Sequence, residues 1–289
     1  MSGVLPTFAG LVIDMDGVLY RGNDALEGLA DFIEVTAGWP RVFLTNNSTL
    51  SALDCVQKLQ KMGVTVPPEE ILTVSEATGT YLHATLATAT PLYVIGEEPL
   101  RRAVVAAGMT LANATDARGL VVGLDRELGF GQLTAALRVL RAKDGGPSGA
   151  PFVATSFDPL LLTTDGVVPG SGAIVQALRA CVAVEPVRIG KPSSRFFEEA
   201  GRRVGCPCNE LLVIGDSLVS DIGGGSAVGA ATVLVLSGLT TTDTATRRGD
   251  AASDLPVPDV VVSGMPELTT MLRAAQAQED RFITAKERP

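Results

Sequence analysis

Residues 11–22 read LVIDMDGVLYRG and set Asp14 and Asp16 one residue apart, directly after a short apolar run. A strand end that needed only solubility would manage with one carboxylate. Two unit charges at contact distance repel by roughly 4 kcal/mol at an effective dielectric near 20. Three other apolar runs also end in polar residues: Thr45 and Asn46 follow RVFL, Lys191 follows VRIG, and Asp216 follows LLVIG, with Asp221 five positions later. Together these residues supply three or four carboxylates, an ammonium and a hydroxyl. Protons or a cation must resolve the repulsion among the acids. Hard oxygen donors without His or Cys favour Mg²⁺, and Mg²⁺ with Lys191 could accept a dianionic phosphate.

Taken singly, each segment has a plainer reading. Asp14 and Asp16 could be a solvated strand end, and Thr45-Asn46-Asn47 a turn with a helix cap. Lys191, ahead of Pro192, could be a surface lysine. Asp221 could simply be favourable at a helix N-terminus. What sets the four apart is a shared place at the carboxyl ends of strands, where chemistry gathers in open parallel sheets.

The elements that must position them alternate strand and helix. Further strands are predicted at PLYVIG, GLVVGL, PFVATS, ATVLVL and PDVVVS, with helix patterns between most of them. Continuous apolar strands of this kind imply a parallel sheet covered on both faces. ALEGLADFIEVTAG reads as a helix closing at Gly38. STLSALDCVQKLQKMG reads as another, capped by Ser48 or Thr49 and stopped by Gly63. The stretch between the strands at 41–45 and 211–215 is too long for one crossover, so a second domain is inserted there. The expected architecture is α/β: a doubly wound, Rossmann-like parallel-sheet core over 1–76 and 186–289, with an inserted α/β domain over 77–185. Residues 144–150 read as a flexible loop, and the tail from about Ala275 loses its apolar rhythm and is expected to fray.

The composition narrows the class further. Apolar residues make up 46% and aromatic residues 4%, the make-up of an α/β protein, and the net charge of −9 with no basic run argues against nucleic-acid or anionic-membrane partners. No signal segment or membrane-spanning run is visible, so a cytoplasmic location is expected. Cys55 and Cys181 fall in apolar helix patterns and read as core residues. Cys206 and Cys208 are closer together than the usual metal or redox pair. His83, the single histidine, reads as a surface or packing residue in a helix, and Trp39 as packing.

DMDGVLYRG, TNNS, GKPS and GDSLVSDI together resemble the four motifs of the haloacid-dehalogenase-like (HAD) phosphatases, in that family's order. The TNNS form, the large insert and GSGAIVQAL before GKPS resemble its NagD-like branch. The resemblance implies a Mg²⁺-dependent phosphomonoesterase acting on a small-molecule phosphate ester, with the insert as a cap. It implies Asp14 as nucleophile and Asp16 as acid and base. Gly17 would leave room for the phosphate, Thr45 and the Asn46 backbone would bind phosphoryl oxygens, and Lys191 would offset charge. The metal would take the Asp14 and Asp216 carboxylates and the Asp16 carbonyl, with Asp221 orienting bound water. Homodimerisation through the cap is a further implication.

Two departures concern the cap and the fourth motif. Relatives show ATN-x-D where this chain has ATSFD, so Ser156 and Asp158 become candidate specificity residues. They also often carry Arg and Thr at the positions of Ser217 and Ser220. An acid at Asp16 favours ester cleavage over dehalogenation, because an alkoxide needs a proton and a halide does not. The alternatives to a phosphatase are a catalytically idle phospho-ligand-binding regulator and a phosphotransferase or mutase.

Overall fold

The computed structural model describes residues 4–142, 148–163, 166–238 and 255–286. In chain order the strands are β1 (Gly10–Asp14), β2 (Tyr20–Arg21), β3 (Asp24–Ala25), β4 (Arg41–Thr45), β5 (Ile71–Thr73), β6 (Pro91–Ile95), β7 (Thr110–Leu111) and β8 (Gly119–Val122). They continue as β9 (Phe152–Ala154), β10 (Leu160–Thr163), β11 (Gly166–Pro169), β12 (Val187–Arg188), β13 (Leu211–Gly215), β14 (Ala231–Val235) and β15 (Val260–Val262). The chain forms two compact units. One comprises Met1–Leu44, Val56–Ile71 and Phe197–Pro289, the other Thr45–Cys55 and Leu72–Phe196.

The larger sheet has the order β15-β14-β13-β1-β4-β5, and β1 runs parallel to both β13 and β4. Ranked along the chain, this is 6-5-4-1-2-3, the doubly wound order whose direction of winding reverses between the first and fourth strands. β1 and β13 flank that reversal. Both are fully buried, which is why GLVID and LLVIG read as unbroken apolar runs rather than alternating ones. The second sheet has the order β12-β9-β8-β6-β7 and is parallel throughout. Its reversal lies between β6 and β8. An antiparallel hairpin, β10–β11, is separate from it. The apolar faces of β6, β8 and β9 pack with Ala136, Val139 and Leu140 and with Ile174, Val175 and Leu178.

Several local expectations are corrected. The helix expected from Ala25 begins only at Leu29 (α1, Leu29–Thr36), because Gly28 sits at φ 86° as its N-cap and β3 takes Asp24 and Ala25. The next helix (α2, Ala52–Lys61) is capped by neither Ser48 nor Thr49. Ser51 and Asp54 cap it reciprocally: the Ser51 N–H donates to Asp54 Oδ2 at 2.9 Å and the Asp54 N–H to Ser51 Oγ at 3.2 Å. Gly63 does end it, at φ 86°. Cys181 is exposed rather than buried, since it lies just past the helix Ser171–Arg179 (α3). The C-terminal helix (α4, Met265–Lys286) runs on through the segment expected to fray. Residues 275–286 hold no Gly or Pro and are rich in good helix formers.

Trp39 is buried, its ring 5.3 Å from that of Phe8. His83 is exposed, with Nδ1 3.3 Å from the Ala107 carbonyl. Most of the 144–150 loop lies outside the described residues. Among the described residues, no helix is long and apolar enough to cross a membrane.

Candidate active site

In the first unit, β1 delivers Asp14 at its last position. β13 ends one residue before Asp216, and the two strands are in register at Ile13 and Ile214. Strand alternation sends the intervening Met15 wholly into the core and leaves Asp16 half-buried. One carboxylate oxygen each from Asp14, Asp216 and Asp221 lies within 4.8 Å of the others, and all three residues are buried. Three carboxylates so close in a buried place cannot all ionise without a counter-charge. The donor set is all oxygen, with neither His nor Cys, and fits a hard divalent cation. The Asp16 side chain is not part of the trio.

The glycines around the trio have definite partners. Gly17 is at φ 85°, and a Cβ there would overlap the Asp216 carboxylate. A Cβ at Gly238 would overlap the same carboxylate, and one at Gly215 would overlap Asp221. Room for Asp216 is therefore what Gly17 provides here, where the sequence suggested only room for a phosphate. Ser237 Oγ donates to the Gly17 carbonyl at 2.7 Å, and Arg21 Nη2 donates to the Ser237 carbonyl at 2.5 Å. Asp221, inside a single π-helical turn, accepts the Ser217 N–H at 3.1 Å and so ties down the loop after β13. Ser217 in turn accepts the Ser220 N–H on its hydroxyl at 3.2 Å. Arg21, Ser237 and Gly238 escaped the sequence reading. The one signal for the last two was weak: a Ser-Gly pair follows the apolar run that contains β14, in VLVLSG.

The second unit assembles its own polar cluster. Thr45, buried, closes β4 and accepts the Asn47 N–H on Oγ1 at 3.1 Å. The Asn46 side chain grips the Lys191 backbone at both ends. Its Nδ2 donates to the Lys191 carbonyl at 3.1 Å, and its Oδ1 accepts the Lys191 N–H at 2.8 Å. Nδ2 also donates to Asp158 Oδ2 at 2.8 Å. Ser156 Oγ donates to the same Oδ2 at 2.7 Å and accepts the Asp158 N–H at 2.9 Å. A Cβ at Gly190 would meet Asn46 Oδ1 and the Thr155 carbonyl, so glycine is required beside the clamp. Lys191 is itself buried, 4% exposed, and joined to Pro192 by a cis peptide bond.

The structure thus brings Asn46, Ser156, Asp158 and Lys191 together in one unit, and Asp14, Gly17, Asp216 and Asp221 together in the other. The sequence suggested a role only for the Asn46 backbone, at the phosphoryl oxygens; its side chain also holds the segment that carries Lys191.

Two family models match the chain. Residues 11–110 match the haloacid dehalogenase-like hydrolase model and residues 188–268 match a HAD-hydrolase-like model. The 5′-nucleotidase YutF of Bacillus subtilis is 31% identical over 91% of this chain and 98% of its own length. A glycerol phosphate phosphatase from Mycobacterium tuberculosis, solved in complex with magnesium, superposes with a TM-score of 0.82 at 27% identity, covering 93% of this chain and 80% of that one. NagD from E. coli K-12 superposes with a TM-score of 0.79 at 27% identity, covering 90% and 98% respectively.

Proposed function

Because the chain belongs to the haloacid dehalogenase-like hydrolases, in their NagD-like branch, we propose that it is a Mg²⁺-dependent phosphatase that cleaves small phosphate monoesters through an aspartyl-phosphate. The observation that carries this reading is the buried trio of Asp14, Asp216 and Asp221 at the switch point of the larger sheet.

Asp14 is the nucleophile. A carboxylate oxygen forms a bond to phosphorus as the ester P–O bond breaks, and Asp16 gives its proton to the departing oxygen. Asp16, now a carboxylate, takes a proton from water as that water attacks the phosphorus of aspartyl-phosphate. Inorganic phosphate leaves, and Asp14 and the protonated Asp16 are restored. Lys191 offsets the negative charge, and Thr45 with the Asn46 N–H donates to phosphoryl oxygens. The Asp14 and Asp216 carboxylates and the Asp16 carbonyl would hold Mg²⁺, with Asp221 orienting bound water. When bound, the ion screens the carboxylates from one another and from the phosphoryl group.

The segment 77–185 serves as the cap that reads the leaving group, with Ser156 and Asp158 among its specificity residues. Relatives named as a 5′-nucleotidase and a glycerol phosphate phosphatase support a small phosphorylated metabolite as substrate. Release of p-nitrophenol from p-nitrophenyl phosphate is expected to require Mg²⁺, to stop with EDTA, and to vanish in Asp14→Asn. Undiminished turnover in that variant would remove Asp14 from the mechanism.

A further inference from the structure

Arg188 is the last residue of β12, in register with Ala154 of β9. Beyond the strands the two segments stay zipped, with the Ile189 N–H donating to the Ala154 carbonyl at 3.0 Å and the Gly190 N–H to the Thr155 carbonyl at 2.7 Å. One segment runs on to Lys191 and the other to Ser156, Phe157 and Asp158. Arg188 therefore stands at the carboxyl edge of the second sheet, the place where open parallel sheets bind ligands.

Arg188 is half-buried. Its guanidinium lies over the Phe157 ring, 3.9 Å from the centroid. Among the described residues no carboxylate or carbonyl takes any of its five N–H donors. The other half-buried arginines of the unit are engaged: Arg179 with Glu185 and Gln176, and Arg101 with the Gly96 and Val94 carbonyls. The acid nearest in effect is Asp158, but its Oδ2 already accepts from Asn46 and Ser156. Burial holds the Arg188 guanidinium below its ordinary value, with Asp158 working against that and Arg179 adding to it. A half-buried cation without a hydrogen-bonded anion is costly to keep. A guanidinium stacked on a ring face keeps its in-plane N–H edge for a bidentate oxyanion.

We propose that Arg188, backed by Phe157, recognises a second anionic group on the substrate, a carboxylate or a further phosphate carried by the leaving group. This rests on the phosphatase reading above. It narrows the substrates to phosphate esters whose alcohol is itself anionic, and it makes Arg188 a residue that selects substrate rather than one that moves protons.

The test is steady-state kinetics with Mg²⁺ on four esters. Two have uncharged leaving groups, p-nitrophenyl phosphate and glycerol 3-phosphate; phosphoglycolate adds a carboxylate, and fructose 1,6-bisphosphate adds a phosphate. The wild type is expected to prefer one of the latter pair over glycerol 3-phosphate by at least tenfold in kcat/KM, and the preferred one identifies the anion. Arg188→Met should reduce that preference at least tenfold, through KM, and Arg188→Lys should restore part of it. Phe157→Leu should reduce it less. An unchanged preference in Arg188→Met, or an equal loss on all four esters, would overturn the assignment. So would a wild type that turns over only the uncharged pair, which leaves the phosphatase reading intact. No turnover of any ester by the wild type would instead overturn the phosphatase reading itself, and this inference with it. If Arg188→Met proves poorly folded by circular dichroism, Arg188→Lys and Phe157→Leu decide on the same ratio.

Discussion

Asn46 and Lys191 lie 145 positions apart, yet the side-chain amide of Asn46 hydrogen-bonds both the N–H and the carbonyl of Lys191. A primary amide is the side chain that can donate and accept side by side, so the contact fixes the lysine's backbone as a strand neighbour would. The third bond of the amide, to Asp158 Oδ2 at 2.8 Å, ties in the ATSFD segment.

Asn46→Ala should therefore cost stability as well as activity. It removes three hydrogen bonds, one of them to a carboxylate, and leaves partners without their amide. At about 1 kcal/mol for each neutral bond and somewhat more for the charged one, the loss should be about 3 kcal/mol. Thermal melts measure it. Asn46→Asp keeps the acceptor for the Lys191 N–H but faces Asp158 with a like charge, and should melt no higher than Asn46→Ala. A melting temperature unchanged in both variants would remove the clamp from the energetics of the fold.

Gly17→Ala tests the carboxylate trio of the first unit. At φ 85° an alanine costs roughly 1–2 kcal/mol from backbone conformation alone, before its Cβ meets the Asp216 carboxylate. The displaced carboxylate should weaken cation binding. The expected result is a lower melting temperature and loss of the upward shift that Mg²⁺ gives the wild type. Asp216→Asn should lose the Mg²⁺ shift without the backbone penalty. A Gly17→Ala protein with a full Mg²⁺ shift would show that Asp216 tolerates the crowding.

A pH-dependent contribution is expected from Glu97 and Arg126, whose bidentate pair has contacts of 2.7 Å. The side-chain hydrogen bonds from Arg126 hold the Glu97 carboxyl below its ordinary value, burial opposing them. A carboxyl lowered on folding adds stability above its unfolded value of about 4.3. That stability is lost as pH falls through the folded value. Arg126 is 68% exposed on its side chain, so solvent screening limits the effect to about 0.5 kcal/mol. Glu97→Gln should be less stable than wild type at pH 7 by that amount in urea unfolding, and the two should converge in acid. A gap that widens as pH falls would contradict the sign.

Much of this site was legible in the sequence because strand ends are local signals. An apolar run followed by Asp, Thr-Asn or Asp marks both a buried strand and the side on which its chemistry sits. The family order of the motifs then supplied the roles. What stayed hidden depends on partners far away in the chain. Gly17 needs its space for Asp216, about two hundred positions on, and no spacing within DMDGVLYRG reveals that. Ser237 and Gly238 follow a strand that carries no acid, so only the Ser-Gly pair itself marked the position. Arg188 was passed over because VRIG reads simply as a strand. Helix starts were misplaced where a glycine at positive φ or a nearer Ser-Asp pair outcompeted the apolar periodicity, as at Gly28 and Ser51.

The cysteines give the last prediction. Cys206 and Cys208 are both free and half-buried. Burial pushes the Cys206 thiol up, with Glu210 and Cys208 adding to it; burial also raises Cys208, with Glu198 adding. Cys208 Sγ further donates to the Phe197 carbonyl at 3.7 Å. A raised thiol holds less thiolate at pH 8 than an ordinary one, and thiolate is the species that attacks alkylating agents and binds soft metals. Cys181, just past α3, is exposed to solvent, with its Sγ donating to the Ala177 carbonyl at 3.5 Å. Iodoacetamide at pH 8 should label Cys181 at least tenfold faster than Cys206 or Cys208 in the native protein, by peptide mass mapping, and the difference should disappear in urea. Fast labelling of Cys206 in the folded state, or stoichiometric zinc retained by the pair, would overturn the reading of these two thiols as structural.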